Sequence, residues 1–381
     1  MSNHISSIIT KRPLLSIVIP TKDRYYYLEH LIKLILSFNS QDVEIVIQDN
    51  TYDNAKFIRS SYIKNKTIKY FHTKEPIPIS LNSDKAILNS TGEYVCFLGD
   101  DDGVTSEIIN QVRLLKHQGI QAMISRSAIY NWPDYKDDSL FNLSSTLLIS
   151  NSGKNDFILF SKQELKKVQD RGFDNMGLLP RVYQGVVHRE ALEKVYKKCG
   201  TFFPGPSPDM ANAIALAGII EKYLFSNKVT IITGQSKCVG GGERLLSKLK
   251  RFNETEHLPK DIMNYWDKKI PSFWCSDTIW PGSAIIAAER MDLAIKINYN
   301  KIYGRFLFNH PLYASTLKEI NVYSLKVVLY KYFIFFAKIK KWLKNRLSFY
   351  FSNKKRIGNS IVYRNIRNTL QAAELISRLS K

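Results

Sequence analysis

Three consecutive carboxylates, Asp100, Asp101 and Asp102, follow the apolar run Tyr94-Val95-Cys96-Phe97-Leu98 and a single glycine, Gly99. The run has the length and character of a buried strand. Three like charges at its exit repel one another and lose hydration, so they need a counter-charge. A divalent cation held by oxygen ligands and bridging to phosphates would supply it. A helix cap near Thr105 would account for one of the three aspartates. A second candidate is Asp209, the only charge between Gly200 and Glu221, framed by Pro204, Pro206 and Pro208. It reads either as a first-turn acid of the helix that follows or as a rigidly held general base. The glycines Gly240-Gly241-Gly242 suit either close approach to a pyrophosphate or a surface loop.

The elements that must position these groups alternate in type. Strands are expected at 14–20, 43–47, 68–71 and 94–98, with helical pieces at about 28–36, 54–62 and 80–89. This is an α/β pattern, a mostly parallel sheet with helices on both faces. Three strand ends carry polar clusters: Thr21 to Arg24, Asp49-Asn50 and Asp100 to Asp102. A doubly wound sheet brings all three to its carboxyl edge, where ligands gather. The pattern continues with helix 108–118, strand 122–125, a loop or small hairpin over 131–155, strand 178–187, helix 189–198, helix 210–220 and strand 229–233. Beyond 245 the sequence reads mostly helical, with Trp266, Trp274 and Trp280 as packing residues.

The formal net charge of +21 over 381 residues is concentrated in the tail. Residues 325–381 hold fourteen Lys and Arg against one acid, Glu374. From Leu325 to about Phe351 apolar side chains recur at helical spacing among lysines, an amphipathic helical pattern. Such a helix suits an anionic bilayer surface, packing on the catalytic domain, or nucleic acid. The four cysteines are far apart, which argues against a zinc site or a disulfide framework and fits a reducing cytosol. No secretory signal and no span of about 20 apolar residues is visible.

With these clusters in place, the chain resembles the family 2 glycosyltransferases, inverting enzymes of the GT-A fold. The resemblance is carried by Leu15 to Thr21 with Asp23-Arg24, by Glu44 to Asn50, and by Asn82 to Ala86 running into Thr91 to Asp102. It implies that Pro20, Thr21, Asp23 and Arg24 flank a nucleotide and that Asp49, with Asn50, contacts its base or ribose. Asn82 and Lys85 would approach the donor's ribose or diphosphate. Asp100 to Asp102 would be the DxD-type motif, with Mg²⁺ or Mn²⁺ on Asp102 and Asp100 bridging the diphosphate. Gly99 stands where the family often has its first aspartate. Ser207-Pro208-Asp209 looks like the family's base loop, which makes Asp209 the general base. The processive signature Gln-x-x-Arg-Trp is absent, pointing to single addition.

The implied donor is a nucleotide-diphosphate sugar, UDP-linked by family default. The implied acceptor is a glycan or polyprenyl-diphosphate-linked glycan in capsule or O-antigen assembly. A cytoplasmic protein, peripheral on the inner face of the plasma membrane and not bound to nucleic acid, is expected. The competing readings are a sugar-nucleotide nucleotidyltransferase, although Pro20-Thr21-Lys22-Asp23 lacks its glycine-rich loop, and a non-enzymatic scaffold built on the basic tail. The expected organisation is a GT-A catalytic domain over 1–245, with a nucleotide half (14–103) and an acceptor half (104–245). A helical extension (246–324) and the basic tail (325–381) follow.

Overall fold

The computed structural model describes residues 12–135, 142–151, 155–237, 249–256, 258–351 and 356–380, so the glycine run 240–242 lies outside the described residues. The N-terminal half follows the expected alternation. Strand β1 (Leu15–Thr21) leads into α1 (Tyr25–Leu36), whose Leu28, Leu31, Ile32 and Ile35 are buried. Next come β2 (Val43–Asp49), the single turn α2 (Ala55–Ile58) with a 3₁₀ turn at Ser61–Lys64, β3 (Ile68–His72), α3 (Ile79–Leu88) and β4 (Tyr94–Phe97). β1 pairs in parallel with β2 from Leu15↔Val43 to Thr21↔Asp49, and with β4 on its other side. That register sets the ends of β1 and β2 side by side. Leu98 extends β4 by donating its N–H to the Val18 carbonyl, so the acidic triplet emerges at the same edge.

A short strand β5 (Gly103–Val104) precedes α4 (Glu107–Gln118) and β6 (Ala122–Ser125). Of the 131–155 stretch, expected as a loop or small hairpin, the described part contains β8 (Thr146–Ser150), which pairs antiparallel with β7 (Ala128–Asn131) at its start. β9 (Phe157–Phe160) and α5 (Ser161–Asp170) were not foreseen. The strand expected over 178–187 is realised only as β10 (Val186–His188). Pro180 has no N–H to give a ladder, Gln184 has φ 54°, and a Cβ on Gly185 would lie 2.1 Å from the Arg181 carbonyl oxygen. Residues 178–185 are therefore a tight loop. After it come α6 (Arg189–Cys199), α7 (Pro208–Ala217), β11 (Lys222–Ser226) and β12 (Ile231–Gln235). The main sheet has the order β3-β2-β1-β4-β10-β6-β11-β9, with β10 antiparallel to both neighbours.

Helices α8 (Ser276–Arg290), α9 (Tyr299–Asn309), α10 (Ala314–Glu319) and α11 (Leu325–Phe351) bear out the helical reading of this region. The basic amphipathic helix expected from Leu325 to about Phe351 is realised as α11, whereas the tail as a whole, 325–381, is not helical throughout. After α11 it forms β13 (Arg356–Ile357), β14 (Ser360–Tyr363) and α12 (Thr369–Leu379). β14 pairs with β8, completing a second sheet of order β13-β14-β8-β7-β12-β5. α12 buries Ala372, Ala373 and Ile376 in one cluster with Tyr27, Trp132 and Ile232. Its Thr369 Cβ lies 3.3 Å from where a Cβ on Gly103 would stand, one residue past the triplet. Glu374 and Arg378 are the only charges within three residues of Ile376, so the apolar return was open to reading and was masked by the basic total. Ile376→Asp should cost about 3 kcal/mol or more in chemical denaturation. Leu379→Asp, on the exposed end of the same helix, should stay within about 0.5 kcal/mol.

Candidate active site

The counter-charge demanded by the triplet comes from within the chain. Arg24, just after β1, sets Nε 2.6 Å from Asp100 Oδ1 and one terminal nitrogen 2.8 Å from Asp101 Oδ2. Burial opposes the Arg24 charge, but the two aspartates outweigh it and hold the guanidinium above its ordinary range. Asp100 also accepts from Thr21 Oγ1 at 2.7 Å. Asp101 accepts from Ser236 Oγ at 2.6 Å, and its carbonyl accepts from the indole of Trp132 at 2.8 Å. Asp102 takes three donors: the N–H of Gly99 (2.8 Å), the N–H of Gly234 (2.8 Å) and the Gln184 side chain (3.0 Å). Burial pushes the carboxyls of Asp100 and Asp102 up, and the charge of Asp101 adds to it. Gly234 is needed sterically, since a Cβ there would stand 1.8 Å from the Asp101 carbonyl oxygen.

Around the ends of β1 and β2 the nucleotide-side residues sort into two groups. Pro20 and Thr21 end β1, opposite Gln48 and Asp49. Asp23 holds φ 59°, a left-handed conformation Asp tolerates, and its N–H donates to Thr51 Oγ1. Asp49 is fully buried: Tyr25 (2.6 Å) and Tyr70 (2.7 Å) donate to one oxygen, and the Thr51 N–H donates to the other. Asn50 ties down the 73–77 segment through the Thr73 and Glu75 carbonyls and the Ile77 N–H. These two brace the site's floor. On α3, by contrast, Asn82 Oδ1 is buried with no hydrogen-bond partner among the described residues, and Lys85 Nζ reaches Thr73 Oγ1 at 3.3 Å. An orphaned buried oxygen costs about 1–3 kcal/mol unless a ligand meets it.

The loop 178–185 crosses the mouth of β4. Phe97 N–H donates to the Val182 carbonyl and Gln184 N–H to the Phe97 carbonyl, while Asn212 of α7 accepts the Val182 N–H. Tyr183 is thereby set in the combined field of Asp102, Asp101, Asp209 and Asp100, which with burial raises its hydroxyl well above the usual value. The same loop links the helix of Asp209 to the triplet, through Asn212 on one side and Gln184 with Asp102 on the other. Asp209 Oδ1 accepts from Ser207 Oγ and the Met210 N–H, while Oδ2 accepts no hydrogen bond from the described residues. Burial raises its pKa, an effect those bonds and the Arg181 charge reduce. Asp84 of α3 accepts from Thr201 Oγ1 (2.6 Å) and the Phe202 N–H (2.8 Å), tying the Asp209 loop to the helix that carries Asn82 and Lys85. Sequence reasoning missed Gln184, Asp84 and Trp132 because their partners lie 31 to 118 residues away.

Whether the triplet suits a divalent metal can be judged from its donors. Buried carboxylate oxygens are the right kind for Mg²⁺ or Mn²⁺, and Asp101 Oδ1 accepts no hydrogen bond from the described residues. Asp102, named first in the sequence reading, has both oxygens engaged by N–H donors, whereas Asp100 and Asp101 are held by Arg24.

An open, mostly parallel α/β sheet in which only β9 and β10 run antiparallel, a second small sheet and an acidic cluster at the carboxyl edge define a sugar-nucleotide-transferase type of domain, the GT-A arrangement. Residues 16–169 match the family model described as Glycosyl transferase family 2, and over that segment the chain is similar to the glycosyltransferases of that family. It is 31% identical over 113 residues to the GalNAc(5)-diNAcBac-PP-undecaprenol beta-1,3-glucosyltransferase of Campylobacter jejuni, covering 28% of this chain and 36% of that protein. It is 29% identical over 103 residues to an uncharacterized glycosyltransferase of Rickettsia conorii, covering 27% of this chain and 17% of that one. The match thus spans about a third of the length of the first relative and about a sixth of the second. A crystal structure of S. aureus TarS 1-349 in complex with UDP-GlcNAc is similar at a TM-score of 0.45 and 12% identity, covering 79% of this chain and 74% of that one.

Two outcomes follow from this geometry. Arg24→Met leaves two buried carboxylates without their cation and should cost about 3–5 kcal/mol in denaturant unfolding, part of it recovered in Arg24→Met/Asp101→Asn. Burial raises Asp84 from 3.8 to about 6, so the native state holds its proton more tightly than the unfolded chain. Its stabilising contribution is complete below pH 3.8 and disappears as pH rises through 6. Against Asp84→Asn, the wild type should lose about 2–3 kcal/mol of relative stability between pH 4 and pH 7, measured by urea titration at each pH.

Proposed function

We propose that this protein is an inverting glycosyltransferase that moves a single sugar from a nucleotide-diphosphate sugar, UDP-linked by family default, to a hydroxyl of a lipid-linked glycan. The observation that carries this reading is the loop 178–185, which is bonded to Asp102 through Gln184 and to the helix that begins with Asp209 through Asn212, with one Asp209 oxygen accepting no hydrogen bond from the described residues. In the reaction Asp209 Oδ2 takes the acceptor's hydroxyl proton. The acceptor oxygen bonds to the anomeric carbon from the face opposite the leaving group, and the bond to the diphosphate oxygen breaks with its electron pair. Asn82 Oδ1 receives a donor hydroxyl, and Arg24 and Lys85 supply positive charge near the diphosphate. Asp101 and Asp100 would hold Mg²⁺ or Mn²⁺, which would stabilise charge on the leaving nucleoside diphosphate.

A polyprenyl-diphosphate carrier for the acceptor, as in capsule or O-antigen assembly, is favoured by the Campylobacter relative, whose name includes PP-undecaprenol. The reaction then takes place at the inner face of the membrane, with the protein peripheral to it.

The test is an assay of nucleotide-sugar donors with lipid-linked acceptors, reading the released product. The transferase reading expects nucleoside diphosphate, with a rate about 10²–10⁴-fold lower in Asp209→Asn and donor affinity unchanged. Release of pyrophosphate, or full activity in Asp209→Asn, would overturn it.

A further inference from the structure

The long helix α11 carries two apolar faces. Val327 is buried, Tyr330 packs over Gly304 of α9, and Lys338 lies 4.3 Å above the Phe308 ring and 3.0 Å from Asn309 Oδ1. At 3.6 residues per turn, Leu325, Leu329, Tyr332, Phe336, Ile339, Leu343 and Leu347 form a second stripe on the opposite side. Every one of them is exposed, from 39% at Ile339 to 73% at Leu325. Lys326, Lys340 and Lys344 are exposed alongside them, and the whole helix carries seven Lys and Arg and no acid. Among the described residues no helix is long and apolar enough to cross a membrane.

We infer that this outward stripe of α11 is a docking surface for an anionic lipid bilayer, with the helix lying flat in the interface. Large apolar side chains on one face sink below the headgroups, while the lysines beside them snorkel to lipid phosphates. Charge decides between this occupant and a second copy of the chain. The four-three spacing of the stripe would suit a helical pair, but a helix with seven cations and no acid would set like charges against each other. An anionic leaflet neutralises the lysines beside the stripe, each nearby lysine adding roughly 1 kcal/mol. This adds to the proposed peripheral placement the surface that makes it, and lipid binding is read without any sugar transfer, so either idea can fail alone.

The experiment is flotation of the full chain with vesicles of phosphatidylcholine, or of phosphatidylcholine mixed with phosphatidylglycerol. The wild type should float only with the phosphatidylglycerol vesicles and detach at high salt. Lys340→Ala/Lys344→Ala should weaken binding by about fivefold per lysine, and Leu329→Ser/Phe336→Ser should abolish it with an unchanged melting temperature. Equal binding to both vesicle types, or full binding by the serine variant, would overturn the inference. So would a concentration-dependent dimer, or retention on duplex DNA or RNA, in place of vesicle binding.

Discussion

The Arg24 guanidinium between Asp100 and Asp101 is the interaction on which the rest of the site depends. It joins the end of β1 to the end of β4 across the carboxyl edge of the sheet. Two buried carboxylates without a cation would be driven to protonate or to move apart, because desolvation and mutual repulsion act in the same direction. With Arg24 in place, Thr21 and Ser236 can complete the hydrogen bonds of the pair. Asp102, with no cation of its own, is held instead by two backbone N–H groups and an amide. It thereby fastens the turn after β4, the 178–185 loop and β12 to one point.

The remaining architecture supplies walls to this centre. α3 brings an orphaned amide oxygen at Asn82 and, through Asp84, anchors the loop that presents Asp209. The tail returns as α12 to pack against β5, so residues more than 260 positions beyond the triplet help to hold it. α11 is the exception, because its outward face is packed on nothing within the described residues and leaves a stripe of large apolar side chains exposed.

Much of this was legible in the sequence wherever the signal was local. The parallel strands are short runs of Ile, Val and Leu with polar ends, and α1 shows an apolar stripe at helical spacing. The triplet's need for a counter-charge was evident too, although its first answer proved to be an arginine 76 residues upstream. What escaped notice depended on distant partners or on backbone geometry. Val182 to Val187 has strand composition, yet Pro180 and the crowding at Gly185 turn most of the segment into a loop. Asp49 has the sequence position of a ligand contact, yet Tyr25 and Tyr70 consume one of its oxygens. The tail's basic total obscured the apolar Val362, Ile366 and Ile376 that dock it.

The most direct measurement is the thermal stabilisation of wild type and Asp101→Asn by nucleoside diphosphates and nucleotide sugars, each with and without Mn²⁺. Saturation at a hundredfold excess over Kd adds about 2.7 kcal/mol to a native state that alone binds the ligand. A metal-dependent rise in Tm with one nucleotide, absent in Asp101→Asn, is the predicted result. No rise with any nucleotide, or the same rise in Asp101→Asn, would contradict a donor site built on the Arg24-bridged aspartates.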